Sequence, residues 1–434
     1  ALAGLRKIDA GSIEIDGVRL SATGSSQIGL SSLPGAGGTG VSSDRSVDLT
    51  MISPYMIRMI AVYKSLTPDM NANSIGGTVN MELREAPADL HWNLLYQQGY
   101  TAKSSTLGNY RAVVSGSNRF FDNKLGAYAL LNAESYDRNS DNMDGNYNLA
   151  GEQVLIDPET GYRPVKVSSV AFNRHLETRK RYGANLILDY ALPNLSIKFV
   201  NMFARINSDF LDHRQTINYD AGRMEWQLYK GENETDQQMH SLKFDYDLGF
   251  LSADLSVNYT ASRNVLDKAP QINFNQTDAL QGGSLRDNLK PEDLTYLLAN
   301  YKGASEVVLR SANLFSSNYK EERFTYKADF EFPFSFGSGL SGFFKFGGQI
   351  YNQTNSIDQE TPYLSFNGSA TGSGTDIQSN LMRTIRNQFG ISTNNRGELI
   401  GDSFINSDRK LFDPFLDNKY GSLYYVANPD ILID

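Results

Sequence analysis

The clearest regularity along the chain is an alternation of apolar and polar positions with period two. Residues 182–192, YGANLILDYAL, place Tyr182, Ala184, Leu186, Leu188 and Tyr190 on one face and Gly183, Asn185, Ile187 and Asp189 on the other. Residues 239–248 and 251–261 repeat the pattern, and in 323–332 Phe324, Tyr326, Ala328, Phe330 and Phe332 alternate with charged or polar neighbours. Alternation of this kind predicts strands with one apolar and one polar face. Residues 195–207, LSIKFVNMFARIN, are apolar on both faces, so pattern does not orient them. The predicted strands are 90–101, 109–120, 125–137, 181–191, 195–207, 239–248, 252–263, 323–334 and 340–351.

Strands of about ten residues match a tilted membrane strand better than the five or six usual in soluble sheets. At roughly 3.3 Å per residue and a tilt near 40°, Tyr182 and Tyr190 are about 20 Å apart along a membrane normal, near the height of a lipid-facing band with an aromatic rim at each edge. Turns at 122–124, 192–194, 249–251 and 337–339 are tight, whereas 139–180, 210–236 and 264–320 read as long connections. Short turns at one end and long loops at the other are the sidedness of an outer-membrane barrel. A large soluble sandwich also alternates, but its loops should be short at both ends. An odd number of strands does not close a bacterial barrel, and an open edge in lipid leaves backbone groups unpaired. The expectation is a segment of a longer polypeptide, with further strands after Asp434 and a loop running on from residue 354.

Composition narrows the function. The 434 residues carry a net charge of −9, with a pI near 5.1, which argues against a nucleic-acid partner because phosphate binding needs a basic face. Cysteine is absent, so there is no disulfide framework and no thiolate metal site. The chain holds 24 Tyr and 23 Phe at a mean hydropathy of −0.40, yet no run approaches the roughly 18 apolar residues of a membrane helix. That excludes helical spanning and leaves a barrel open, since its strands present only alternate side chains to lipid.

Chemical motifs are weak. GAGGTG (35–40) has the spacing of a dinucleotide loop but follows Leu-Pro and precedes Val-Ser-Ser-Asp, without the flanking strand and helix such a site needs. SDNMDGNYNLAGE (140–152) resembles a calcium loop around Asn142, Asp144 and Gly145, but has Ser140 first and Gly151 in place of the bidentate Glu. It reads better as a hydrophilic external loop. His91, His175, His213 and His240 are widely separated, and no nucleophile elbow, zinc-helix motif or phosphate loop occurs. No enzyme activity, cofactor or metal site is expected. The polar-face charges Lys243, Asp245, Asp247, Arg323, Lys327, Asp329 and Glu331 are read mostly as a wall that is solvated or touches another part of the chain.

Residues 1–88 have a different character. IEIDGVRL (13–20) is a short strand with a turn at Asp16-Gly17, residues 21–45 are rich in glycine and serine, TMISPYMIRMI (50–60) reads as a helix, and AVYKS and SIGGTVNMELR read as strands. This small mixed α/β unit is poor in apolar bulk and makes sense if something surrounds it. IDGVRL, followed by VDLTMISPYMIRMIAVYKSLTPDMNANSIGGTVNMELR, closely resembles the C-terminal part of the plug domain of TonB-dependent outer-membrane receptors. The resemblance covers the head segment; the remainder matches in architecture only.

The resemblance implies a mostly β fold: a transmembrane antiparallel β-barrel of about 22 strands when complete, nine or ten of them read here, occluded by the plug. It places the plug at 1–88 and the barrel at 89–434, both incomplete, with a TonB box expected before Ala1. It implies a Gram-negative outer-membrane transporter that imports a scarce nutrient (carbohydrate, siderophore or similar) with energy passed on by TonB. The wording LTPDMNANSIGG resembles a branch that imports carbohydrate or other non-siderophore nutrients. The partners implied are the TonB complex, a small-molecule substrate and outer-membrane lipid. A passive pore or a surface interaction protein on the same barrel is the alternative, separated by the presence or absence of a TonB box.

By the same resemblance the loop from about Ser21 to Arg45 is the plug apex, with Gln27, Asp44 and Arg45 as candidate substrate contacts. Arg45 leads, since its guanidinium binds carboxylate, phosphate or sugar hydroxyls; the alternative is that Asp44 and Arg45 only cap the following helix or brace the plug against the wall. Two substitutions follow from the strand faces: Leu186→Arg should be costly, and Asn185→Arg, on the lumen face, mild.

Overall fold

The computed structural model describes residues 12–23, 47–64, 70, 77–149, 156, 158, 161–280, 306–336, 339–401, 405–406, 415–416 and 426–427. The head of the chain forms a four-stranded sheet. β1 (Ser12–Ile15) turns into β2 (Val18–Arg19) through Asp16 and Gly17, at φ +48° and +76°. Positive φ at both central residues is what a two-residue hairpin of right-handed strands requires, so Asp-Gly suits the position. β3 (Ile57–Tyr63) runs antiparallel to β4 (Thr78–Leu83), which runs parallel to β1, giving the order β2-β1-β4-β3.

The helix expected over 50–60 is not formed. A 3-10 helix at Leu49–Met51 is capped by the Asp48 carboxylate, which accepts from the Thr50 N–H at 2.9 Å, and the chain turns at Ser53-Pro54 into β3. Proline keeps the residue before it out of the helical region, and the β-branched Ile57, Ile60 and Val62 pair along β4 instead.

The rest of the wall is an eleven-stranded antiparallel sheet. It comprises β5 (His91–Thr101), β6 (Thr106–Phe120), β7 (Leu125–Asp137), β8 (Ser140–Leu149), β9 (Val165–Leu192), β10 (Leu195–Asn218), β11 (Arg223–Asp247), β12 (Ser252–Gln276), β13 (Val308–Phe336), β14 (Leu340–Glu360) and β15 (Tyr363–Ser365). Neighbours follow chain order from β5 to β14, with β8 continuing β7 along β9 and β15 pairing β13; β5 and β14 are not paired to each other.

Each predicted strand is present, but most run far past their predicted ends. β9 has 28 residues and β13 has 29. The stretch 210–236, read above as a loop, is the distal half of the β10–β11 hairpin, which closes at Tyr219–Gly222. Residues 140–149 of the calcium-like stretch are likewise a strand: Asn142, Asp144 and Gly145 lie in β8, paired to Asn173, Ala171 and Val170. An extended backbone does not wrap an ion, so neither the calcium reading nor the loop reading holds. After β14 the chain forms β15 and a helix, α1 (Ile377–Phe389), where a loop was expected.

Register assigns the faces. Leu188, Phe199, Leu242, Val257, Tyr326 and Ile350 form one rung across six strands, and the rung beside it runs Ile187, Val200, Ser241, Asn258, Thr325 and Tyr351. Consecutive rungs point to opposite faces. This orients 195–207, with Phe199 on the outer face and Val200 on the inner. The outer face is apolar and open, with Trp92 78 % and Ile350 75 % exposed, whereas Ile187 and Val200 on the inner face are buried. The head sheet covers that inner face: Ile15, Met56, Met81 and Leu83 pack with Leu130, Ile187, Val200 and Met202 in one core. A second core forms on the outer face at the end away from the tight turns. There Phe172, Trp226 and Phe274 lie under Phe366, Met382 of α1, Ile391, Leu399 and Phe415.

Candidate functional site

The head unit is held to the wall by polar contacts placed along its edges. Lys198 Nζ reaches Asp16 Oδ2 and Glu85 Oε1, both at 3.0 Å, and Lys243 Nζ donates to the Asp16 carbonyl. Asp16 also accepts from the Leu83 N–H at 3.0 Å, so one turn residue ties two head strands to two wall strands. On the other side the Ala22 N–H donates to Glu321 Oε1 at 3.1 Å, the Ser262 hydroxyl donates to the Ala22 carbonyl, and Ser21 Oγ meets Thr260 Oγ1 at 3.0 Å. The Asp48 N–H donates to Thr23 Oγ1 at 3.0 Å, which joins Thr23 to the start of the 3-10 helix. Gln27, Asp44, Arg45 and GAGGTG (35–40) belong to residues 24–46 and lie outside the described residues.

The polar-face charges divide. Lys243 grips the head unit as just described, Lys327 pairs with Asp329 at 2.9 Å, and Arg323 is buried with its guanidinium 4.0 Å above the Tyr351 ring. Asn185 corrects an expectation. It faces inward but is only 3 % exposed, and neither amide atom has a hydrogen-bond partner. An arginine there enters a packed seam and not a solvated lumen, so Asn185→Arg is not a mild change.

Beyond the apolar outer band, which on β9 spans Tyr182 to Leu192, two consecutive rungs place histidines on opposite faces. His175 pairs with Asp212 in one rung, and Arg174 with His213 in the next. On the inner face His175 Nδ1 lies 2.7 Å from Asp212 Oδ1, and Nε2 3.2 Å from Glu177 Oε2. The hydrogen bond to Asp212, then that to Glu177, raises the imidazole to about 9, so it is a cation at neutral pH. Burial works against the Glu177 charge, but His175, Ser208 and Arg179 outweigh it and hold the carboxyl at about 2.

The His175 ring stacks on Phe210 at 6.3 Å, and Phe210 meets Tyr229 at 5.1 Å. Two further arginines share Glu134 on this face: Arg111 Nε at 3.3 Å and Arg181 Nη1 at 3.2 Å. On the outer face Arg174 forks onto Asp141 at 2.8 and 3.0 Å, and the buried His213 is lowered to about 4 by burial and then by Arg174. No group of three or more His, Cys, Asp or Glu among the described residues is arranged to hold a metal.

The His175 cluster is not visible in the sequence, where Asp212 is 37 residues away and only a register brings the two together. The usable signal is local: His175, Glu177, Arg179 and Arg181 alternate on one face of a single strand.

A wall of long antiparallel strands, with an open apolar band on one face and a small sheet seated on the other, has the architecture of an outer-membrane β-barrel with an internal plug. No family model matches the chain, and no curated protein matches it. Solved structures similar to it include the siderophore receptor PiuA from Acinetobacter baumannii, at 12 % identity and a TM-score of 0.28, covering 80 % of this chain and 55 % of that one. BauA, the ferric preacinetobactin receptor of the same organism, has 11 % identity and a TM-score of 0.28, with 82 % and 53 % covered. The ferric enterobactin receptor PfeA from Pseudomonas aeruginosa has 11 % identity and a TM-score of 0.31, with 79 % and 64 % covered. The chain thus spans between about half and two thirds of these receptors' length. Likeness at these TM-scores carries no argument of its own; the fold stands on the register and burial given above.

Proposed function

We propose that this chain is part of an energised importer of the Gram-negative outer membrane, with residues 1–88 as plug and 89–434 as barrel wall. The observation that supports this reading is the contrast between the two faces of one sheet. Leu94, Tyr96 and Tyr326 stand open on the outer face at 67 %, 63 % and 53 % exposure, while Leu130, Ile187, Val200 and Met202 on the opposite face are buried against the head unit. Apolar surface this continuous is costly in water, at about 25 cal/mol per Å², and marks contact with lipid. A seated plug blocks simple diffusion, so the substrate passes only if the plug is moved. That work would come from TonB acting on a segment ahead of Ala1. The substrate would be a scarce small molecule captured at the mouth, with Gln27, Asp44 and Arg45 among its contacts.

The test is uptake by the full-length protein in intact cells, before and after the proton gradient is collapsed. Loss of uptake with unchanged receptor abundance is the expected result. Undiminished uptake would make the protein a passive pore.

A further inference from the structure

The seam between the head unit and the wall is made of two unlike halves. The buried wall residues of the shared core, from Val113 of β6 through Leu130, Ile187 and Val200 to Met239 of β11, all belong to β6–β11. Met51 of the head unit adds a second apolar contact with Ala204 and Ile206, both on β10. Lys198 and Lys243, which hold Asp16, stand on β10 and β11 as well.

On β12, β13 and β14 the same face changes character. The inner face of β12 runs through Ser256, Asn258, Thr260 and Ser262. Their partners on β13, and the partners of those on β14, bring no aliphatic residue to these four inner rungs; the ring of Tyr351 is their one apolar surface. Here the head unit is met by hydrogen bonds: Ser21 meets Thr260, and Ala22 donates to Glu321 and accepts from Ser262. Nearer the tight turns a cavity of about 180 Å³ separates Glu14, Arg19 and Asn80 of the head unit from Asn258, Lys327 and Gln349 of the wall.

The two halves give way differently. Parting apolar surfaces exposes them to water and is opposed over their whole area. A hydrogen bond across a polar seam exchanges for one to water at small net cost, and a polar cavity admits the water that makes the exchange. We propose that the head unit is hinged on β6–β11 and opens along β12–β14, so that a solute crosses on that side, past Glu14, Arg19 and Lys327. The inference rests on the importer reading and names the passage its substrate takes. A path lined by amides, hydroxyls and charges of both signs suits a hydrophilic solute and offers an apolar one no surface to follow.

The test uses the full-length protein in planar lipid bilayers with potassium chloride as the probe, so it needs neither the substrate nor an energy source. Urea, at strengths that leave the wall folded, should loosen the head unit and let the salt through. Ser21 Oγ and Thr260 Oγ1 are 3.0 Å apart, so Ser21→Cys with Thr260→Cys sets two thiols across the polar half. The 434 residues hold no cysteine to compete with them. Once oxidised, the pair should remove most of the current, and reductant should restore it. A tether would also stop a head unit that leaves as a whole, so single thiols in the two halves separate the cases. Asn258 and Val200 are both buried, at 5 % and 0 % exposure. In the same urea a charged thiol reagent should modify Asn258→Cys about tenfold or more faster than Val200→Cys, because the polar half opens at lower free energy. The proposal is overturned if the reduced pair passes no current, if oxidation leaves the current unchanged, or if Val200→Cys reacts as fast as Asn258→Cys. A protein that meets these expectations yet takes up its substrate without a gradient keeps the hinge and loses the importer reading.

Discussion

His175 and His213 lie on neighbouring rungs of the same two strands, and one step of register gives them opposite titrations. His175 sits between two carboxylates and is raised to about 9; its ordinary value is 6.5. The stabilisation it supplies is therefore complete below pH 6.5, fades as pH rises and is lost above about 9. His213 is buried as the neutral base and lowered to about 4, so it costs nothing above pH 6.5 and destabilises the fold as pH falls towards 4. We expect His175→Gln to lose about 1–2 kcal/mol at pH 6 and almost nothing at pH 10, after allowance for solvent screening. His213→Gln should flatten the acid side of the same profile. Thermal unfolding of the detergent-solubilised protein, followed across that range, checks both; pH profiles that coincide with the wild type would contradict the assignment.

At the scale of elements, the seam between head sheet and wall depends on one glycine. A Cβ on Gly183 of β9 would stand 2.3 Å from Asn132 Oδ1 and 2.7 Å from Met56 Cε. The Asn132 side chain is buried and Met56 is fully enclosed, so neither has room to withdraw. Gly183→Val should strain this contact by about 1–3 kcal/mol, and relief is easiest if the head unit lifts away. The expected result is a wall that still folds with a head unit open to limited proteolysis between β3 and β4. A protease pattern identical to the wild type would show that the seam absorbs the extra carbon.

The whole molecule is a sheet with two solvents. Leu186 stands on the outer band at 39 % exposure. Leu186→Arg should cost about 2–4 kcal/mol if it lies near the bilayer midplane. Gln349, on the inner face of β14 and exposed, is the matched control, and Gln349→Arg should fold as well as the wild type. Folding yield into lipid vesicles measures both. Equal yields would mean that the apolar face does not meet lipid.

What the sequence determined alone is the local part of this arrangement. Alternation at 182–192 and 323–332 decides which side chains share a face, because the two-residue period is a property of any extended backbone and needs no partner. Tight turns at Asp16-Gly17 and near residue 193 are legible for the same reason. The distal halves of β10 and β11 were not, since residues 210–236 are largely polar and charged and so read as a loop, although Met224, Trp226 and Leu228 still alternate there. They are strands because each borrows a ladder from its neighbour, and Trp226 is buried in a core that it shares with Met382 of α1 and with Phe366, Ile391 and Leu399. Residues 57–63 became a strand for the same reason, with β4 available to pair. The candidate site was the least legible part. Whether His175 is a cation or His213 a neutral base, and whether Asn185 meets water or a packed seam, depends on register and docking. Those bring together groups far apart in the chain, and local pattern holds no record of them.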